Sequence, residues 1–297
     1  MLNEFKDAFR KPNNAHVQLI IINVVVFLVL GVLFVVLTAS QNSELFRAIH
    51  NQFSIPAPFL EFARKPWTMI TYAFVHDLSG IFHILFNMLA LYWFGKLFVE
   101  YLGSDKLVAV YVLGALAGAL FYLLVYNFIP FYKGMTPADG MVGASAAIYA
   151  VMVAIATLLP DYTFFLLFFG PVRIKYIVLV YIVISFLGSV GSNAGGNVAH
   201  LGGALMGFIY TKQLQAGINW GSWITSVLDA VKSLFASKPK VKVTYRKEET
   251  RQQKKDAPKF TRATQDEIDV ILDKISERGY ESLSKEEKEK LFNASKK

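Results

Sequence analysis

The chain has 297 residues, 54% of them hydrophobic, and a mean hydropathy of +0.41. Soluble domains contain roughly 45–50% apolar residues, so this composition excludes an ordinary soluble protein and predicts a chain that lies in a lipid bilayer. The absence of cysteine excludes disulfides, thiol nucleophiles and zinc–thiolate sites. The net charge is +8, but residues 237–262 alone hold ten Lys and Arg against three Asp and Glu. Most of the basic excess therefore belongs to one segment, and we expect no nucleic-acid partner.

Six apolar segments follow one another along the chain. The first comes after a mixed-charge stretch, residues 1–16, without a small-residue cleavage site, which predicts a retained span rather than a signal peptide. A transmembrane helix needs about 20 mostly apolar residues. The segments that meet this requirement are 17–39, 81–101, 107–128, 141–159, 172–190 and 198–214. They predict an all-α membrane domain of six transmembrane helices over residues 17–214, with both termini on one side.

The charges of the short loops indicate which side this is, because Lys and Arg favour the cytoplasmic face of a membrane. On one face these residues are Lys6, Arg10, Lys11, Lys106, Arg173 and Lys175. We therefore predict that both termini are cytoplasmic. The long segment 40–80 lies on the other face and is rich in aromatic residues, which predicts that it rests partly in the interfacial region.

Three further regions follow the sixth span. Residues 215–236 have apolar side chains at helical spacing and predict an amphipathic helix along the membrane interface. Residues 237–263 form a basic linker, which we expect anionic lipid to attract. Residues 264–297 predict a small helical hairpin.

The hairpin is predicted from its helix start and stop signals. Two Ser/Thr-x-x-Glu capping boxes open its helices, Thr264 with Glu267 and Ser284 with Glu287. Gly279 is expected to end the first helix.

Polar side chains inside the spans are costly, so each is a candidate functional residue. His83 and His200 are the histidines within spans, and no Asp or Glu lies centrally in one. This excludes an aspartyl protease, which needs two buried carboxylates, and a zinc protease with an H-E-x-x-H helix. We therefore predict neither a metal nor a cofactor. A hydroxyl activated by an adjacent imidazole remains possible.

Ser145 lies in MVGASAAIYA at the start of the fourth span, where a helix N-terminus offers unpaired amides to an oxyanion. The alternative is a packing face of small residues. His200 lies in GGNVAHLGGALMGFIY, where Gly203 and Gly207 allow another helix to approach closely. The alternative is a histidine that bonds a carbonyl for packing, or a lone ligand or proton relay. A Ser145–His200 hydrogen bond would require a separation of about 2.6–3.2 Å.

His83 and Asn87 stand four residues apart in the second span and therefore share one helix face. Their donors could help to hold a tetrahedral oxyanion. The alternative is a pair of polar residues that hydrogen-bonds neighbouring helices.

These motifs, in this order, resemble those of the rhomboid intramembrane proteases over residues 17–214. The matching residues are His83 and Asn87 (H-x-x-x-N), Gly143 to Ala146 (G-x-S-G), and Ala199, His200, Gly203 and Gly207 (A-H-x-x-G followed by G-x-x-x-G). The resemblance implies a six-helix bundle with a serine endopeptidase activity that cuts the transmembrane segments of single-span proteins.

The same resemblance implies a role for each residue. Ser145 is implied to be the nucleophile and His200 the general base, while the Ser145 amide, His83 and Asn87 form the oxyanion hole. Tyr149 matches the aromatic residue that packs on the catalytic histidine in this family. It further implies a cavity open to the non-cytoplasmic side, a cap formed by residues 187–197, and a location in a bacterial inner membrane.

Two positions depart from the family pattern. Ala146 replaces the glycine after the serine, and Thr68 follows Trp67 where many members have arginine. A rhomboid-like pseudoprotease that binds transmembrane helices without cleavage is therefore an alternative. A transporter or channel is a second alternative.

Overall fold

The structure is a computed structural model that describes residues 7–78, 80–134, 139–235 and 265–294. The chain divides into two compact units, Met1–Ala236 and Ser237–Lys297. The predicted basic linker and the first capping residue, Thr264, lie outside the described residues.

The first unit is mostly helical. Its α-helices are α1 (Ala15–Ala39), α2 (Ser43–His50), α3 (Phe59–Arg64), α4 (Thr68–Thr71), α5 (Ile81–Leu102), α6 (Ser104–Phe128), α7 (Ser145–Leu158), α8 (Ile174–Gly188), α9 (Ala194–Gln215) and α10 (Ser222–Phe235). Short 3-10 turns lie at Tyr72–Phe74 and Pro130–Gly134.

Three helices, α1, α5 and α6, are long and apolar enough to cross a bilayer among the residues that the structure describes. They coincide with the first three predicted spans. Helices α7 and α8 are apolar but have 14 and 15 residues. Helix α9 has 22 residues, but its glycines, Asn197 and His200 lower its hydropathy. The count of six spans therefore stays a prediction.

Helix α7 lies at the centre of the unit, because every residue from Ala146 to Ala156 is buried. It packs most extensively against α9 and α6. Fourteen residues span about 21 Å, which is less than the roughly 30 Å of a hydrocarbon core. The helix is enclosed by other helices along its length, so its small residues can serve packing rather than lipid contact.

Helix α7 begins at Ser145, four residues later than the predicted fourth span. Met141 pairs with Ile55 in an isolated β-bridge, so the chain is extended there. Gly143 has a φ of +137°, and its N–H donates to the Tyr72 carbonyl oxygen at 3.0 Å. A positive φ of this kind favours glycine and interrupts a helix. The interruption places Ser145 at the helix N-terminus.

An antiparallel β-hairpin joins α7 to α8 and was not predicted. Strand β1 (Thr163–Leu166) pairs with β2 (Gly170–Arg173). The segment is rich in aromatic residues, which favour extended backbone, and Gly170 supplies a φ of +68° at the turn. The predicted fifth span, 172–190, therefore starts as a helix only at Ile174.

The predicted cap, residues 187–197, is shorter in the structure than in the sequence analysis. Helix α8 continues to Gly188 and α9 begins at Ala194, so the connection is 189–193. The side chain of Asn197 donates to the Gly188 carbonyl oxygen at 3.0 Å and ties the two helix ends together. The first turn of α9 lies against α6, since a Cβ at Gly195 would be 3.0 Å from Tyr122 Cε2.

The segment after α9 contains the helix predicted to lie along the interface, α10. Its Ile224 is buried, whereas Trp223 is exposed. This separation of faces agrees with an amphipathic helix.

The second unit contains α11 (Gln265–Arg278), a 3-10 turn (Tyr280–Ser282) and α12 (Lys285–Ala294). Gly279, with a φ of +77°, ends α11 as predicted. The second capping box is confirmed, because the Ser284 N–H donates to Glu287 Oε2 at 2.7 Å and the Glu287 N–H donates to Ser284 Oγ at 3.2 Å. Among the apolar residues of this unit, Ile271 is buried, whereas Leu272 and Phe292 are exposed.

Candidate active site

Ser145 and His200 meet where the N-terminal end of α7 faces α9. His200 Nε2 lies 2.6 Å from Ser145 Oγ. This distance is within the range in which an imidazole can accept a hydroxyl proton. Both side chains are half-buried. The two residues, 55 positions apart in sequence, are therefore brought into direct contact.

Glycines on α9 allow this approach. A Cβ atom at Gly203 would overlap the Ala146 carbonyl oxygen, and one at Gly207 would overlap the Ala150 carbonyl oxygen. The α9 backbone thus rests directly on the α7 backbone, one turn after His200 and again one turn later. Close packing of this kind requires residues without side chains. Gly203 and Gly207 therefore set the depth at which His200 reaches Ser145.

Tyr149 packs against His200, the contact that the family resemblance implies. Its ring is stacked on the His200 ring, with centroids 4.3 Å apart and an interplanar angle of 12°. Tyr149 lies four residues after Ser145, so it projects from the same face of α7. The stacking limits the rotation of the imidazole.

Ser185 of α8 contacts His200 and was missed in the sequence analysis. Its side chain is fully buried, and its Oγ lies 3.0 Å from His200 Nδ1. The same hydroxyl donates to Tyr149 Oη at 2.7 Å. The signal was present in the sequence, since Ser185 is a polar residue within an apolar span.

The oxyanion-hole candidates lie near Gly143. A Cβ atom placed on Gly143 would be 3.4 Å from Ser145 Oγ and 3.8 Å from His83 Nε2. The His83 ring and Ser145 Oγ therefore border one small space beside Gly143. Asn87 is buried one turn along α5, where its Nδ2 donates to the His83 carbonyl oxygen at 3.0 Å. Its amide has a second N–H for another acceptor.

His76 is a second residue near the site that was not named as a candidate from the sequence. It is fully buried, and its ring meets the His83 ring edge-to-face with centroids 5.6 Å apart. Burial lowers the pKa of His76 to about 4, with a further contribution from His83. A neutral ring therefore packs behind His83 near neutral pH.

A cavity of about 880 Å³ opens beside the site. Its wall includes His83, residues 140–142, residues 191–196 and part of α2. Neither Ser145 nor His200 is among the residues that line it. Among the residues that the structure describes, no three His, Asp or Glu side chains are grouped closely enough to hold a metal ion.

The two departures from the family pattern are accommodated by their surroundings. Ala146 is buried, and its Cβ occupies the space that Gly118 of α6 leaves open. Thr68 is fully buried, and its Oγ1 donates to the Lys65 carbonyl oxygen at 2.6 Å.

These features define a helical membrane protein that carries a serine–histidine pair at the start of a buried central helix. The Rhomboid domain family model matches residues 63–216, which is about half of the chain. The chain therefore belongs to the rhomboid family. A second family model, a family of unknown function (DUF6576), matches residues 261–297.

Curated relatives come from plant and yeast organelles. The chain is 34% identical over 161 residues to RHOMBOID-like protein 12, mitochondrial, of Arabidopsis thaliana, a match that covers 50% of this chain and 47% of the relative. It is 33% identical over 152 residues to Rhomboid protein 1, mitochondrial, of Saccharomyces cerevisiae, a match that covers 48% of this chain and 40% of the relative. The match to Rhomboid-like protein 16, chloroplastic, of Arabidopsis thaliana is 29% over 161 residues. The matched region thus spans about half the length of these relatives or less.

Proposed function

We propose that the protein is an intramembrane serine endopeptidase with a six-span rhomboid bundle and a Ser145–His200 dyad. The observation that carries the proposal is the 2.6 Å separation between Ser145 Oγ and His200 Nε2. A packing serine would not require a half-buried imidazole at this distance. Membership of the rhomboid family supports the same chemistry.

In the proposed reaction, Ser145 Oγ attacks the scissile carbonyl carbon while His200 Nε2 accepts the hydroxyl proton. The protonated imidazole then donates this proton to the leaving amine, and an acyl-enzyme remains on Ser145. A water molecule attacks the ester with His200 again as base, which releases the new carboxyl end and restores the serine. No carboxylate is needed to move the proton.

The oxyanion would be held beside Gly143. Ser145 is the first residue of α7, so its N–H is one of the helix-terminal donors without an intrahelical acceptor. His83 borders the same space, and Asn87 would contribute its second N–H. Each well-placed donor contributes about 2.7–4 kcal/mol to transition-state stabilisation in known enzymes.

The proposed substrates are single-span membrane proteins. A continuous transmembrane helix uses its carbonyl groups internally, so the segment to be cut must unwind before a serine can reach it. Because the cavity wall contains His83 but not the dyad, we propose that residues 189–193 move aside when substrate enters. No cofactor takes part in this chemistry.

The remaining proposals concern location and lipid. We propose that both termini face the cytoplasm and that the basic linker contacts anionic lipid. Location in a bacterial inner membrane stays a prediction, since the curated relatives named above are mitochondrial or chloroplastic.

A pseudoprotease that binds transmembrane helices is the second candidate. The hydrogen bond from Asn87 to its own helix favours it, as does a cavity wall without the dyad. A cleavage assay separates the candidates. Purified protein in detergent micelles is incubated with a single-span reporter, and wild type is compared with Ser145→Ala and His200→Ala. Cleavage by wild type alone supports the protease, whereas binding of the reporter without cleavage by any of the three supports the pseudoprotease.

A further inference from the structure

A chain of hydrogen bonds extends from the dyad to the backbone of α8. His200 Nδ1 lies 3.0 Å from Ser185 Oγ, and Ser185 Oγ donates to Tyr149 Oη at 2.7 Å. Tyr149 Oη in turn donates to the Tyr181 carbonyl oxygen at 3.2 Å. The hydrogen-bond chain therefore ends on the Tyr181 carbonyl oxygen, which can only accept a hydrogen bond.

This end point fixes the direction of every bond before it. The phenol of Tyr149 has one proton, which is used on the Tyr181 carbonyl, so Tyr149 Oη must accept from Ser185. The hydroxyl of Ser185 likewise has one proton and gives it to Tyr149. Towards His200, Ser185 can then act only as an acceptor.

We propose that Ser185 is a positioning residue that holds the proton of neutral His200 on Nδ1. A neutral imidazole carries one proton, so a proton on Nδ1 leaves the lone pair on Nε2. Nε2 is the nitrogen that faces Ser145 Oγ at 2.6 Å. The hydrogen-bond chain thus selects the tautomer in which His200 can act as a base. This inference rests on the proposed protease function for its kinetic consequence, but not for the tautomer itself.

The tautomer matters because the opposite one is unproductive. With its proton on Nε2, the imidazole would donate to Ser145 instead of accepting from it. In serine proteases with a triad, a buried carboxylate makes this choice. Here the acceptor is a neutral hydroxyl, which stabilises an imidazolium less than a carboxylate does. Ser185 therefore sets orientation and tautomer with little added charge stabilisation.

Burial makes the assignment specific to Ser185. Its side chain is fully buried, and it is one of the few buried residues of a helix whose other faces are largely exposed. A polar group at such depth would otherwise be costly. Its hydrogen bonds with the His200 and Tyr149 side chains account for its presence in an apolar span.

The test compares three variants with a structural control. Ser185→Ala removes the acceptor, Ser185→Thr keeps a hydroxyl, and Tyr149→Phe keeps the stacked ring but removes the acceptor of the Ser185 proton. Thr211→Val is the control, because it deletes a fully buried hydroxyl that bonds the Ala154 carbonyl oxygen and joins α9 to α7 away from the dyad. All four are made in the full chain.

The first readout is the tautomer of His200, measured by ¹⁵N NMR with ring-labelled histidine and assigned with His200→Gln. Wild type and Thr211→Val should show a protonated Nδ1 and an unprotonated Nε2. Ser185→Ala should shift the population towards protonated Nε2. An unchanged spectrum in Ser185→Ala overturns the inference, whether or not the protein cleaves substrate.

The second readout is the split between kcat and KM in the reporter assay. Ser185→Ala should lower kcat about 10- to 100-fold with KM within about twofold, as losses of residues that orient a reacting group do. Ser185→Thr should restore most of kcat, and Tyr149→Phe should lose less than Ser185→Ala. Equal losses in kcat for Ser185→Ala and Thr211→Val, matched by equal losses in thermal stability, would reduce Ser185 to a structural role. Wild-type protein that does not cleave would refute the protease and leave the tautomer experiment to decide the inference.

Discussion

Gly203→Ala should abolish the proposed reporter cleavage through packing alone. The added Cβ would overlap the Ala146 carbonyl oxygen, so α9 has to move away from α7. The required shift is roughly 1 Å for a carbon–oxygen contact without overlap. His200 lies one turn before Gly203 on α9, so its Nε2 would move from 2.6 Å to beyond hydrogen-bond distance of Ser145 Oγ.

The losses of stability and of activity in Gly203→Ala can be estimated from this displacement. Overpacking of a well-packed core costs about 1–3 kcal/mol of stability. A misplacement of about 1 Å at a reacting group costs on the order of 100-fold in rate. The loss of activity should therefore exceed what the loss of stability explains, since most molecules remain folded.

Gly31→Ala is the matched control. Gly31 lies in α1, and a Cβ there would approach its nearest neighbour, Leu78 Cδ2, at an ordinary 4.0 Å. Both substitutions gain the same helix preference of alanine over glycine. Reporter cleavage and thermal unfolding in detergent are measured for both variants. Wild-type activity together with a wild-type unfolding midpoint in Gly203→Ala would refute the packing argument.

Three further changes test other parts of the structure. Gly143→Ala should reduce labelling by a fluorophosphonate, because its Cβ would lie 3.4 Å from Ser145 Oγ and the φ of +137° would strain the backbone that precedes Ser145. Asn127→Ala should lower the free energy of unfolding by about 1–3 kcal/mol and speed hydrogen exchange around residue 57, because it deletes a 2.7 Å hydrogen bond to the Ala57 carbonyl oxygen. Unchanged exchange there would contradict this role of Asn127. The bond from Lys274 at 2.8 Å, together with the Ser284 amide, lowers the pKa of Glu287. The carboxylate therefore stabilises the hairpin above the ordinary glutamate pKa and loses this effect as the pH falls through the lowered value. Lys274→Met should move the Glu287 NMR titration midpoint upwards.

The sequence predicted most of the helices because they are long and apolar. Apolar length identified α1, α5 and α6, and the capping signals identified the start of α12. Those signals are local, so a single sequence is enough to read them. The β-hairpin was missed because its two strands have four residues each, too few for a clear hydropathy pattern, and lie mostly between the predicted fourth and fifth spans.

The candidate site was predicted only in part, for a physical reason. Ser145, His200 and Tyr149 were named from motifs and lie together in the structure, whereas Ser185 and His76 were missed. Ser185 acts through a contact between helices, and no local spacing shows which helices face each other. The interruption at Gly143 also depends on pairing with distant residues, so the start of α7 could not be placed from hydropathy.

The central claim is that Ser145 is a nucleophile activated by His200. Its most direct test is fluorophosphonate labelling of the folded protein, with the modified residue located by mass spectrometry. We predict a single adduct on Ser145 that is absent in Ser145→Ala and strongly slowed in His200→Ala. Labelling at an equal rate in His200→Ala, or no labelling of folded wild-type protein, would contradict the claim.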